Sequence, residues 1–288
     1  MKENTRIDIK VYDKIHTRFE ISHVQHIGYS SMKTKHFHDA FEIYYLFKGE
    51  RYYFINDRIY HLKKGDLVFI DVHSIHKTND ADIPDHERIL IAFKKAYLNN
   101  ILIEAGDYDL FSCFHKNTNI LRLNEEDQTF IEQLLFKMLA ENNNPTDGSL
   151  IHLKIMLAEF LIFSGRLFQN TPNYVSENSN PMYSKISEVI THINKNYMQD
   201  LTLDSIAKTF FISTWYLSRT FKKITGLNLN EYINNVKIRE AQLLLSSTKL
   251  NITKISETVG YDSPTHFGRV FKSITGVSPL KYRKTLPK

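Results

Sequence analysis

The chain has 288 residues, 42% hydrophobic and 12% aromatic, with 37 Lys+Arg against 32 Asp+Glu for a net charge of +5. That length suits two domains, and that apolar content suits packed cores rather than disorder or a fibre. A single cysteine, Cys113, excludes an internal disulfide and reads as a small core residue in a reducing compartment. The opening MKENTRIDIK is polar and carries no signal-peptide pattern, and the most apolar run, LIHLKIMLAEFLIFSG, contains His152, Lys154 and Glu159. A cytoplasmic protein without a membrane partner is therefore expected. The charge is split: residues 183–288 hold 16 Lys+Arg and 7 Asp+Glu, and the remainder 21 and 25. A +9 segment joined to a −4 segment suggests two tasks, the basic one facing a polyanion.

Up to about residue 95 the chain reads as strands. FEIYYLFKG, RYYFIN, RIYHL and DLVFI are short, aromatic and β-branched, and they are broken by Lys48-Gly49, Asn56-Asp57 and Lys64-Gly65-Asp66. Short strands with tight turns predict a barrel or sandwich. Within them HFHDAFEIYYLFKG puts His36, His38, Glu42 and Tyr44 at one parity, hence on one strand face. GDLVFIDVHSIH then supplies His76. This HxHxxxE…G…GD…H pattern resembles a cupin barrel. In cupins that bind a divalent metal, the positions of His36, His38, Glu42 and His76 hold it. Three readings stay open: metal ligands, small-molecule contacts by His38, Glu42, Tyr44 and His76, or partners within the barrel. No spacing singles out His61, His73 or His86.

Helical periodicity begins near residue 97. Glu125–Glu141 aligns Phe130, Leu134, Leu135 and Met138, and Asp147–Gln169 aligns Leu150, Leu153, Leu157, Leu161, Ser164 and Phe168, with NNNPTDG as the hairpin turn. The second helix is apolar on more than one side, so one face is expected to cover the barrel and another to meet a second copy, making a homodimer through about 147–169. TPNYVSENSNPM, 171–182, reads as a linker. The expected division is a sensor and dimerisation domain over 1–170 and a helical domain over 183–288.

The helical domain repeats itself. LTLDSIAKTFFISTWYLSRTFKKITG runs from Leu201 and LNITKISETVGYDSPTHFGRVFKSITG from Leu250. Leu201, Leu203 and Ile206 match Leu250, Ile252 and Ile255 at an offset of 49. After one extra residue, Ser213, Arg219, Phe221, Lys222, Ile224, Thr225, Gly226 and Tyr232 return at an offset of 50. Each copy has helix-turn-helix grammar. Ser213 or Ser263 caps a second helix, about 213–224 or 263–274, and Gly226 or Gly276 closes it. An apolar stripe (Leu217, Phe221, Ile224; Phe267, Val270, Phe271, Ile274) is expected to face inward. The other face holds Thr214, Trp215, Ser218, Arg219 and Lys222 in the first copy, and Thr265, Gly268, Arg269 and Lys272 in the second. Arginine can bond a guanine edge bidentately and lysine sits well near phosphate, so these faces suit the major groove of double-stranded DNA. Between the copies LNEYINNVKIREAQLLL predicts a helical strut, so that two recognition helices reach successive major grooves.

At this point the chain resembles the AraC/XylS family of bacterial transcription regulators. The likeness rests on the two helix-turn-helix units, KIREAQLLL, and ISETVGYDSPTHFGRVFKSITGVSPLKYR, spanning about residues 183–285. It implies an α+β chain: a cupin-like N-terminal β-barrel with a helical hairpin, then an all-α domain of two helix-turn-helix units joined by a helix. It also implies base-facing positions at Trp215, Ser218, Arg219, Thr265 and Arg269, an effector in the barrel with a sugar among the candidates, RNA polymerase as a partner, and a role as activator. No P-loop, GxGxxG or nucleophile constellation supports an enzyme. The alternatives are a metal-dependent cupin enzyme with a helical appendage and a ligand-independent regulator controlled by a protein partner.

Overall fold

A computed structural model describes residues 19–29, 40–72, 74–116, 118–170 and 180–285. It divides into two compact units, one of strands and helices and one built chiefly from the helices after residue 178.

The first unit contains β1 (Phe19–His26), β2 (Phe41–Lys48), β3 (Glu50–Ile55), β4 (Arg58–Lys63), β5 (Asp66–Ile70), β6 (His76–Asp80), β7 (His86–Phe93) and β8 (Ile120–Arg122). Its helices are α1 (Asn99–Glu104), α2 (Glu125–Asn143) and α3 (Ser149–Asn170). The α+β class stands. The strands, however, form a five-stranded sheet in the order β1-β7-β2-β5-β8 and a three-stranded sheet in the order β4-β3-β6. The expected closed barrel is thus corrected to two open sheets. Turns at Asn56 and Gly65, both with positive φ, lead from β3 to β4 and from β4 to β5, and the ladders stop at the edge strands β1 and β8 of one sheet and β4 and β6 of the other.

Strand alternation sends successive side chains to opposite sheet faces and divides the core in two. On one face of the larger sheet Ile43, Tyr45, Ile89, Ile91 and Phe93 join Leu134, Leu135, Met138, Leu157 and Leu161 of α2 and α3. On the other, Tyr44, Leu46, Val68, Ile70 and Leu90 meet Tyr53, Ile55, Tyr60 and Leu62 of the smaller sheet. The helical hairpin follows the expected pattern with one difference. Leu150, placed in the inward stripe, is 66% exposed, beside exposed Ile151 and Ile155. Ser149 is buried in its place, its hydroxyl accepting from the Thr146 N–H at 2.6 Å and donating to Glu141. No helix among the described residues is long and apolar enough to cross a membrane.

The second unit comprises α4 (Pro181–Asn196), α5 (Leu203–Thr209), α6 (Thr214–Thr225), α7 (Leu229–Ser247), α8 (Ile252–Thr258), α9 (Pro264–Thr275) and α10 (Pro279–Thr285). The sequence repeat returns as repeated packing. Phe221 meets Tyr232 edge-on at 5.4 Å, and Phe271 meets Tyr282 edge-on at 5.6 Å. The Thr225 hydroxyl donates to the Phe221 carbonyl at 2.8 Å, as does Thr275 to Phe271. Ser213 accepts from the Tyr216 N–H at 3.1 Å and Ser263 from the His266 N–H at 3.3 Å, capping α6 and α9. Each cap contributes about 1 kcal/mol. Gly226 and Gly276 close the two helices at φ +78°.

Candidate nucleic-acid interface and buried polar cluster

The apolar stripe of α6 is buried, with Leu217, Phe221 and Ile224 all fully covered. Its far side therefore faces water: Trp215, Ser218, Arg219 and Lys222 are exposed, and Thr214 is half-buried beside its cap. A core location for Trp215 is excluded, since the indole is 67% exposed. The Arg219 guanidinium lies 5.1 Å from the indole centroid. That stack limits the rotamers of a long side chain that stays exposed to solvent. In α9, Phe267 and Phe271 are buried, whereas Thr265, Arg269 and Lys272 are exposed and Gly268, half-buried, adds no side chain to that face. The second face is thus flatter and has no aromatic counterpart of Trp215.

The strut α7 is 19 residues, about 28 Å at 1.5 Å per residue. Ile233, Val236, Ala241 and Leu245 on it are buried. Polar side chains on its N-terminal half fasten it in both directions. Toward the first repeat, the Tyr232 hydroxyl donates to Asn194 of α4 at 3.1 Å. Toward the second, Tyr261 donates to Asn234 at 2.8 Å, and the Lys237 ammonium donates to the Gly260 carbonyl at 2.6 Å. Lys237 also sits 5.2 Å from the Tyr261 ring. None of these fastening roles was foreseen from sequence. A lysine at an otherwise inward helical position was the available signal.

In the first unit, Glu42, Tyr44 and His76 come together between the two sheets. The Tyr53 hydroxyl donates to Glu42 Oε1 at 3.0 Å, and His76 Nε2 stands 3.6 Å from Glu42 Oε2. The other ring nitrogen of His76, Nδ1, donates to the Ser74 carbonyl at 2.9 Å. Burial opposes a charge on His76, but the Glu42 carboxylate and the Ser74 carbonyl outweigh it and raise its pKa. The Tyr44 hydroxyl is buried and has no hydrogen-bond partner among the described residues. His36 and His38 lie outside the described residues. Among the described residues no three ligating side chains are grouped to hold a metal.

A second cluster lies along the same interior and had no motif to announce it. Arg51, 1% exposed, pairs with Asp80. Arg88 lies 5.7 Å from the Tyr44 ring, and His26 stacks on His86 at 5.1 Å. The usable signal was parity, because Arg51 shares the inward phase of Tyr53 and Asp80 that of His76. Burial, then Arg51, push the pKa of His86 down to about 4. The unfolded chain takes up this proton near pH 6.5 while the folded chain resists until about 4. Acidification across that window should therefore cost about 2 kcal/mol through His86. Denaturation at several pH values, compared with His86→Gln, checks it: the variant should lose less stability between pH 6.5 and 4. His76 acts in the opposite sense, since its contribution is present below pH 6.5 and fades as pH rises through its elevated pKa.

Two facing sheets with a buried polar cluster in an otherwise apolar interior, followed by paired helix-turn-helix units, define a regulator with a sensing half and a DNA-binding half. A helix-turn-helix domain family matches residues 206–285, and an AraC-like ligand-binding domain family matches residues 21–153. The chain belongs to the AraC/XylS family of transcription regulators. It is 27% identical over 262 residues to the Msm operon regulatory protein of Streptococcus mutans serotype c, covering 90% of this chain and 88% of that protein. It is 26% identical over 254 residues to the HTH-type transcriptional activator RhaR of Escherichia coli O139:H28, covering 86% of each. Among solved structures, the C-terminal domain of the response regulator AraT from Geobacillus stearothermophilus is 35% identical, with a TM-score of 0.36, covering 39% of this chain and 91% of that one. The protein is a DNA-binding transcription regulator with an N-terminal ligand-binding domain, and not an enzyme.

Proposed function

We propose that α6 and α9 enter successive major grooves on one side of a duplex. Thr214, Trp215, Ser218, Arg219 and Lys222 make the first set of contacts, and Thr265, Arg269 and Lys272 the second. The observation that carries this is the partition of each helix into a buried apolar stripe and an exposed cationic face, with one strut fastened to both repeats. The functional division runs at residues 1–170, 171–182 and 183–288. Footprinting on DNA selected from a random pool tests it. Each chain should protect two major-groove segments about ten base pairs apart. Protection of a single segment refutes the tandem reading.

The effector is a small polar molecule held between the sheets, with Glu42, Tyr44 and His76 as contacts and His38 as a further one. The paired carboxylate, phenol and imidazole support a hydroxylated ligand such as a sugar. Binding would favour the arrangement competent for DNA by a few kcal/mol. The exposed side chains Leu150, Ile151 and Ile155 support a homodimer through α3. Ile155→Glu should shift sedimentation toward the monomer, and an unchanged profile argues for another interface. DNA as partner supports a cytoplasmic location and, as an activator, engagement of RNA polymerase.

A further inference from the structure

Both repeats turn from first to second helix through one left-handed residue. In the second repeat it is Gly260, at φ +79°, where an added Cβ would stand 2.7 Å from the Met198 carbonyl oxygen. In the first it is Phe211, at φ +55°. The positions are equivalent: the Ile212 N–H donates to the Ala207 carbonyl and the Tyr261 N–H to the Ser256 carbonyl, both at 3.0 Å. A side chain disfavours this backbone region, and phenylalanine is not among the residues that relieve it by local hydrogen bonding. Its ring recovers nothing from the core, being 95% exposed. Glycine would remove both costs. A ring that backbone and water both disfavour calls for an occupant that covers it.

The surroundings select that occupant. Phe211 precedes the Ser213 cap of α6 by two residues, and the exposed Trp215 and Arg219 follow on that helix. From 205 to 230 the chain carries Lys208, Arg219, Lys222 and Lys223 and no Asp or Glu. A wholly cationic segment around an apolar ring complements a polyanion that also offers apolar surface, and deoxyribose in a DNA strand provides both.

We propose that Phe211 packs on deoxyribose at the rim of the major groove entered by α6, an apolar contact that reads no base and that the second repeat lacks. The proposal rests on α6 being a groove helix.

Phe211→Gly is the test, with binding to wild-type-selected and unrelated duplexes measured by fluorescence anisotropy across a salt series. The variant should melt no lower than wild type, since glycine accepts this conformation freely. Binding should weaken about tenfold, as loss of a half-covered phenyl implies, equally on both duplexes. The salt slope should not change, because no cation is removed. Phe211→Asn, which also tolerates the left-handed region, should lose as much and serves if the glycine variant is poorly folded. Affinity within twofold of wild type overturns the proposal. So does intact binding with lost activation in a reconstituted polymerase reaction, which would assign the ring to a protein. Arg219→Ala, run in parallel, separates the two readings. If it alters base preference while Phe211→Gly changes nothing, only the proposal for Phe211 fails. If base preference is unaltered, α6 as a reading helix fails too.

Discussion

Replacing Arg219 by alanine is expected to cost about 1–3 kcal/mol on the preferred DNA site and to erase selectivity at one base pair. The side chain is exposed on α6, opposite the buried Leu217, Phe221 and Ile224, and its guanidinium is already stacked 5.1 Å from Trp215. A guanidinium held by a ring loses less freedom on binding than one that must first be ordered, and its fork matches the two acceptors of guanine. Arg219→Lys should therefore recover general affinity but not selectivity, because an ammonium is a point charge. Selection from random duplexes with each variant reads the result. Equal weakening on every sequence would mean that Arg219 holds phosphate, and would count against α6 as the reading helix.

Gly260→Ala should be among the most damaging single changes in the helical unit, about 3 kcal/mol, combining left-handed strain with a contact that cannot relax cheaply. The new Cβ would lie 2.7 Å from the Met198 carbonyl oxygen and 3.0 Å from its Cα, both backbone atoms. The same residue supplies the carbonyl that Lys237 holds at 2.6 Å, so displacement of the turn would also loosen the strut. Gly276→Ala is the control: φ is +78° there too, but a Cβ would meet nothing within 4 Å. It should cost only about 1–2 kcal/mol. Denaturant melts of both variants test the ranking, and footprints should show Gly260→Ala losing the second protected segment before the first. Equal destabilisation by the two would show that backbone strain alone, and not the Met198 contact, governs the site.

Much of the helical unit was legible because its determinants are local. Caps, closing glycines and stripe residues act within a few positions of one another, and a repeat doubles the signal. Trp215 could be placed outside the core because Leu217, Phe221 and Ile224 already filled the inward stripe. The sheets were less legible. Strand existence follows from β-branched and aromatic runs, but whether strands close into a barrel depends on pairing between distant segments, such as β1 with β7 and β3 with β6. The interior charges were missed for a related reason. Arg51 and Asp80 are register partners on β3 and β6, His86 and Arg88 lie on β7, and only the facing of the two sheets brings the two pairs together. Phe211 was missed because its peculiarity is a dihedral angle, and its copy in the second repeat is an unremarkable turn glycine.

The fastening of α7 by its N-terminal half to groups on either side has a consequence for the duplex. On the proposed docking, Tyr232–Asn194 toward the first repeat and Lys237–Gly260 with Tyr261–Asn234 toward the second make the protein a stiff caliper with a preset gap. Any disagreement between that gap and the pitch of relaxed DNA falls on the nucleic acid as curvature. Easily bent steps midway between the prongs would then be favoured, although no side chain touches them.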